Sequence, residues 1–254
     1  MTIRLSARDM WLLLWLSQMG GAPMDIVASL LAIWPLRKRA DDTGTTPVSE
    51  VNAYRVVARL KKAGKLIDET LRPVPGPGWA VPTASTASLL LDMSVKPWIP
   101  SPMMAAHLST TARVRLALAA GMVEDTWISE RILRHRNGFQ TVAGESMPHV
   151  HDGHWTDEYG RLHAIEVELT RKGSADARAT MQASYDAAKD AGAHRLVYYC
   201  ESPEVRARVR AAAADLNLTE GGPEITAPLL SKLLHPSPAA VHGLSLFAAG
   251  GAAS

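Results

Sequence analysis

Between Val150 and Lys172 the sequence gathers carboxylates, imidazoles and a lysine at spacings that suit metal-assisted hydrolysis. In a strand, alternate residues face opposite sides, so AIEVELT places Ile165, Val167 and Leu169 toward a core and Glu166, Glu168 and Thr170 on the other face. The two glutamates then stand about 7 Å apart and repel unless a positive group lies between them. Asp152 ends the preceding strand, and pairing through the turn DEYGR brings it close to Glu166. Asp152, Glu166 and Glu168 are three hard oxygen ligands, the set preferred by Mg²⁺ or Mn²⁺. Lys172 follows at a distance that lets it supply a cation to the same place. Farther on, Gln182 and Tyr185 stand at i and i+3 with Arg178 and Lys189 beside them, a polar stripe on one helix.

Each of these residues also has a plainer reading. Glu166 and Glu168 suit the solvated face of an edge strand, and Asp152-Gly153 suits an ordinary turn. Glu130-Arg131 reads as a local ion pair, or Glu130 as a further metal or scaffold carboxylate. His149, His151, His154 and His163 crowd the same stretch and offer transition-metal ligands, although their spacings match no standard zinc pattern. His107 reads as a helix-packing residue, and Cys200 as a buried thiol.

The elements that must position these residues alternate. Helical periodicity covers 103–120, and WISERILRHR (127–136) reads as a strand or strand-to-helix transition. VHDGHW and LHAIEVELT form two strands, 174–191 a helix, HRLVYYC a strand, SPEVRARVRAAAADLN a helix and EITAPLL a last strand. This order predicts a mixed or parallel sheet with helices packed on it. The first ninety residues differ. Ser6 and Asp9 form a capping-box start to a helix over 6–19, which Gly20-Gly21 stops. A second helix covers 22–33, and a polar loop 37–46. A third helix opens with Pro47 and closes at Gly64, with Val48, Val51, Tyr54 or Val57, Ala58 and Leu60 facing a core. Arg55, Arg59 and Lys62 recur on another face, and Lys61 and Lys65 extend a run from 51 to 67 that contains no acid. KLIDETLRP, the tip PGPG and WAVPT then read as two short strands. Three helices and a hairpin are the layout of a winged helix-turn-helix, whose third helix enters the major groove of double-stranded DNA. A solvated basic face is the alternative. The expected class is therefore α+β, with a winged helix over 1–91, a proline-rich connector over 92–102, an α/β domain over 103–235 and a disordered low-complexity tail over 236–254.

Composition narrows the field. Of 254 residues, 47% are hydrophobic and 20% charged, as in an ordinary globular protein. The single cysteine excludes a disulfide framework and a Cys-based zinc finger. Residues 1–91 carry 11 Lys/Arg and 7 Asp/Glu, a net +4, against −2 for the remainder. No apolar run approaches the ~20 residues of a membrane span. Arg8 and Asp9 also break any signal-peptide layout, so a cytoplasmic protein is expected.

Strand Asp, turn, then a strand bearing Glu-x-Glu resembles the PD-(D/E)xK nuclease core, with His151-Asp152-Gly153 where Pro-Asp is usual and Glu168 at the lysine position. Gln182 and Tyr185 resemble the Gln-Tyr motif of one branch of these nucleases, at a spacing one residue different. From Leu5 to about Leu230 the chain also resembles the replication-relaxation proteins of actinobacterial plasmids and integrative elements. The features that carry this likeness are the N-terminal winged helix, the His107-Leu108 helix, Trp127-Ile128-Ser129-Glu130-Arg131, Asp152-Gly153, Glu166 to Thr170 with Lys172, and Val197-Tyr198-Tyr199-Cys200. The resemblance implies a sequence-directed endonuclease or nickase of plasmid replication or conjugative mobilisation. Asp152, Glu166 and Glu168 would hold the metal, Lys172 would offset developing charge, and Arg55, Arg59, Lys61, Lys62, Gln182 and Tyr185 would contact DNA. A second copy of the chain and other mobilisation proteins are further expected partners. The alternative is a non-catalytic accessory factor or repressor with a nuclease-like fold. A tyrosine-type relaxase is a weaker third, because the histidines lack the three-His arrangement beside a tyrosine.

Overall fold

Ser6 begins the first element as the sequence predicts. Its hydroxyl accepts from Asp9 N while the Asp9 carboxylate accepts from Ser6 N, and the helix α1 (Ala7–Met19) ends at left-handed Gly20, φ 82°. The computed structural model describes residues 4–34, 49–119, 126–140, 148–218 and 222–235. The expected loop 37–46, Pro47, Val48 and the tail 236–254 lie outside them.

The second helix starts later than expected. Ala22–Pro23 form a short strand, β1, and α2 runs Met24–Ile33. Ser49 caps α3 (Glu50–Lys62). Strand β2 (Trp79–Ala80) pairs antiparallel with β1 rather than with a full hairpin partner, and residues 65–73 contribute only the single bridges Leu66–Pro82 and Leu71–Trp79. A helix absent from the sequence reading, α4 (Ala84–Leu91), follows, capped by Thr83 and packed on α1.

The faces of α3 also differ from expectation. Ala53, Val57 and Leu60 enter the core, whereas Val51 (60% exposed), Tyr54 (44%) and Ala58 face outward. Val57 and Leu60 are buried as expected, and Ala53 takes the core place expected of Val51 and Ala58.

No helix or strand spans 94–101. Helix α5 (Pro102–Ala119) then serves two cores. Ala112 joins the cluster around Leu12, Leu16, Ile26 and Leu60, while Val114 joins the sheet cluster of Ile165, Val167 and Tyr199. Arg113 pairs with Asp25 at 2.5 Å, and buried Arg115 bonds Gln18 and stacks on Trp15.

The second unit runs β3 (Trp127–Ser129), α6 (Glu130–Gln140), β4 (Gly153–Thr156), β5 (Leu162–Glu168), α7 (Ser174–Asp190), β6 (Arg195–Cys200), α8 (Pro203–Asp215), β7 (Glu224–Thr226) and α9 (Leu230–Leu234). The sheet order is β3-β4-β5-β6-β7, antiparallel from β3 to β5 and parallel from β5 to β7. Helices α7 and α8 bury Ala164, Leu196, Tyr198 and Cys200 on one face; α5 and α9 cover Ile165, Val167, Val197 and Tyr199 on the other. β5 is thus a central strand. The edge-strand reading of Glu166 and Glu168 fails because α7 covers their face.

Candidate functional site

The β4–β5 hairpin sets the site. Its turn closes on Asp157, whose carboxylate accepts from Tyr159 N and Arg161 N. Register Gly153↔Ile165 then draws Asp152 alongside β5. Asp152-Gly153 is not a turn: Gly153 opens β4 beneath the Trp127 indole, which a Cβ would meet at 2.2 Å. Asp152 Oδ2 accepts from Val167 N at 2.7 Å, and Oδ1 meets His107 Nε2 at 2.8 Å. His107 is therefore a site residue of α5 rather than a packing residue. Its hydrogen bond to Asp152 raises its pKa against the cost of burial, with the charges of Asp152, Glu130 and Glu166 adding to the effect.

Glu166 points under α7, with 13% of its side chain exposed. Its Oε1 meets His149 Nε2 at 2.6 Å and accepts from the Ser184 hydroxyl at 3.1 Å. Burial pushes its carboxyl up to about 7, Asp152 adding to the rise and His149 opposing it. His151 Nε2 donates to the Ser184 carbonyl at 2.9 Å, and its Nδ1 lies 3.1 Å from His154 Nε2. Burial lowers both imidazoles to about 4, so they are neutral near pH 7. His149, His151 and His154 line a cavity of about 220 Å³. Asp152 lines another of about 240 Å³, between α1, α5 and α6, with Ser129, Glu130 and Arg131.

The expected carboxylate triad does not converge. Glu168 pairs with Lys172 of the loop that follows β5, which commits the lysine as well. Among the described residues, the group whose ligand atoms lie within 4.8 Å of one another is His149, His151 and Glu166. His163 sits on the opposite face of the sheet, paired with Asp157 at 3.0 Å and stacked on Trp155. Glu130 pairs with Arg134, not Arg131, which instead donates to Ser17 O.

The polar stripe on α7 divides. Gln182 donates to Asp186, while Tyr185 is buried against Gly222 and offers no surface to DNA. The residue of α7 that reaches the site is Ser184, the polar member of the buried series Ala177, Met181, Ser184, Tyr185, Ala188. A serine inside that apolar stripe was the signal available in the sequence.

On α3, Arg55 and Lys62 are exposed. Arg59 is not a free cation: it bonds the buried Asp9 at 2.5 Å. Lys61 donates to the carbonyls of Asp68 and Glu69. Cys200 is buried, as expected. No helix among the described residues is long and apolar enough to cross a membrane. Comparison with protein-family models, curated proteins and solved structures finds no match to this chain.

Proposed function

We propose that the chain is a cytoplasmic DNA-processing protein of a plasmid or mobile element, with a winged helix that binds double-stranded DNA and a nuclease-like sheet that acts on a phosphodiester. The observation that carries this reading is the hairpin that brings Asp152 beside a protonatable, buried Glu166. The order α1, β1, α2, α3 and a short strand pair supports a winged helix. The outward face of α3 supports duplex binding: Arg55 and Lys62 suit phosphates, and Val51, Tyr54 and Ala58 suit base edges. Three antiparallel strands followed by two parallel β-α-β steps, with Asp152 just before β4 and Glu166 and Glu168 on β5, support the PD-(D/E)xK-like assignment.

In this reading Glu166 exchanges a proton near neutral pH, and His149 and Ser184 hold the oxygen that carries it. Asp152 is oriented by Val167 N and His107. Mg²⁺ held by Asp152, Glu166 and Glu168 together does not fit these positions, because Lys172 occupies Glu168.

The second reading, a non-catalytic DNA-binding accessory factor or repressor, is favoured by the same pairing. Among the described residues, it leaves the nuclease-like sheet without an uncommitted lysine beside Glu166. Full-length protein incubated with supercoiled plasmid and Mg²⁺ or Mn²⁺ separates the two. Nicked circles that disappear in Asp152→Ala and Glu166→Gln support the enzyme; binding in a gel shift without nicking supports the accessory factor. A protein that neither binds nor nicks duplex DNA overturns both.

A further inference from the structure

We infer that His149, His151 and Glu166 form a binding site for one divalent first-row transition ion with a zinc-like preference for imidazole. The site shares Glu166 with the proposed nuclease centre and rests on that reading only for what a bound ion would do. That an ion binds rests on the geometry of the three residues.

The ligand atoms lie within 4.8 Å of one another, and His149 Nε2 and Glu166 Oε1 are 2.6 Å apart. A tetrahedral zinc ion with bonds of roughly 2.0–2.2 Å holds its ligands roughly 3.4 Å apart. Entry of the ion thus requires the His149–Glu166 pair to open by about 0.8 Å and the more distant contacts to close by up to about 1.4 Å. Side-chain rotation supplies both.

The surroundings are those of ligands held in place. His151 gives its Nε2–H to the Ser184 carbonyl, which makes Nδ1 the acceptor of the 3.1 Å hydrogen bond from His154 Nε2, a bond that an ion at Nδ1 would replace. Metal-binding histidines are fixed in this manner, with the far ring nitrogen tied to a carbonyl or carboxylate. Ser184 also donates its hydroxyl to Glu166 Oε1, so one fully buried residue orients two of the three ligands. His154 Nε2, 3.1 Å from His151 Nδ1, stands next to the position an ion would take.

Two imidazoles and one carboxylate are a donor set for zinc, cobalt, nickel or iron. Mg²⁺ instead requires an oxygen shell and near-octahedral geometry. Three protein ligands leave a fourth position, and the cavity of about 220 Å³ lined by His149, His151 and His154 gives water or an anion a place to occupy it.

Cobalt(II) provides the test, because its ligand-field absorption reports imidazole coordination directly. Chelator-treated full-length protein is expected to show that absorption, saturating at one equivalent and displaced by Zn²⁺ but not by excess Mg²⁺. His149→Gln and His151→Gln should each weaken Co²⁺ binding at least tenfold. Exposed His194→Gln should leave it unchanged, and circular dichroism should confirm that all three variants fold. Ser184→Ala keeps the ligands and should weaken binding by a smaller factor. Folded wild-type protein with no ligand-field band, or with a band undiminished in both site variants, overturns the assignment. Co²⁺ binding without plasmid nicking leaves the metal site standing and defeats the nuclease reading; nicking with Mg²⁺ and no Co²⁺ band does the reverse.

Discussion

A carboxyl group that shares a sheet face with α7, inside a strand paired on both sides, is costly to ionise. Glu166 is such a group, and its pKa fixes a sign. The folded state holds the proton up to about 7 while an ordinary glutamate releases it near 4.5, so the folded protein binds more protons between those values. Stability is therefore present at low pH and lost as pH rises through about 7. With a chelator present, Glu166→Gln should match the wild type near pH 5 and become the more stable of the two by about pH 8, by up to about 3 kcal/mol. Urea melts at the two pH values check this; a constant difference would mean that Glu166 titrates normally. Part of this site was legible beforehand. Strand alternation put Glu166 and Glu168 on one face, and the DEYGR turn put Asp152 beside Glu166. Alternation says nothing of what covers a face, so the roles of Ser184, His149 and His107 came only with the packing of α7 and α5.

At the scale of elements, α3 shows how charge counting misleads. Five cations in one short run look alike in sequence, yet four of them do three different things. Arg59 ties α3 to α1 through Asp9, whose carboxyl is held below the usual range, against the cost of burial, by Arg59 and Ser6. Lys61 closes the loop at 68–69. Arg55 and Lys62 remain on the exposed face. Arg55→Ala with Lys62→Ala should lower affinity for duplex DNA and reduce the slope of log K against log salt by about two. Arg59→Met should instead cost about 2–4 kcal/mol of stability by stranding a buried carboxylate. The Asp9→Asn, Arg59→Met double variant should recover part of that loss, as a thermodynamic cycle would show. Depressed Asp9 also contributes stability that is present above its unfolded value near 3.8 and lost as pH falls through the lower folded one. The caps of α1 and α3 were readable because Ser6, Asp9 and Ser49 act through neighbours in sequence. Helix α4 was not: TASTASLLL lacks a clear polar face, and only its packing on α1 makes it a helix worth forming.

At the scale of the whole molecule, the first unit does not close on itself. Ala105 covers Trp79 and Val81, Ala112 fills the space among α1 and α2, and Arg115 stacks on Trp15. A fragment of residues 1–91 should accordingly be less stable than one of 1–119, by roughly 3–5 kcal/mol of lost apolar burial. Thermal melts followed by circular dichroism would show the difference as a lower and broader transition.

Helix α5 also sets a length. His107 grips Asp152 and Arg113 grips Asp25, six residues or about 9 Å apart on one rigid rod. If the proposed function holds, a duplex read by α3 and a phosphodiester approached by Asp152 are measured against the same ruler. Cleavage should fall at a constant number of base pairs from the protected footprint, whatever sequence lies between. Base pairs inserted between the footprint and the original nick should leave the new nick at the old offset. A nick that travels with its own flanking sequence would show that the two units move apart on DNA.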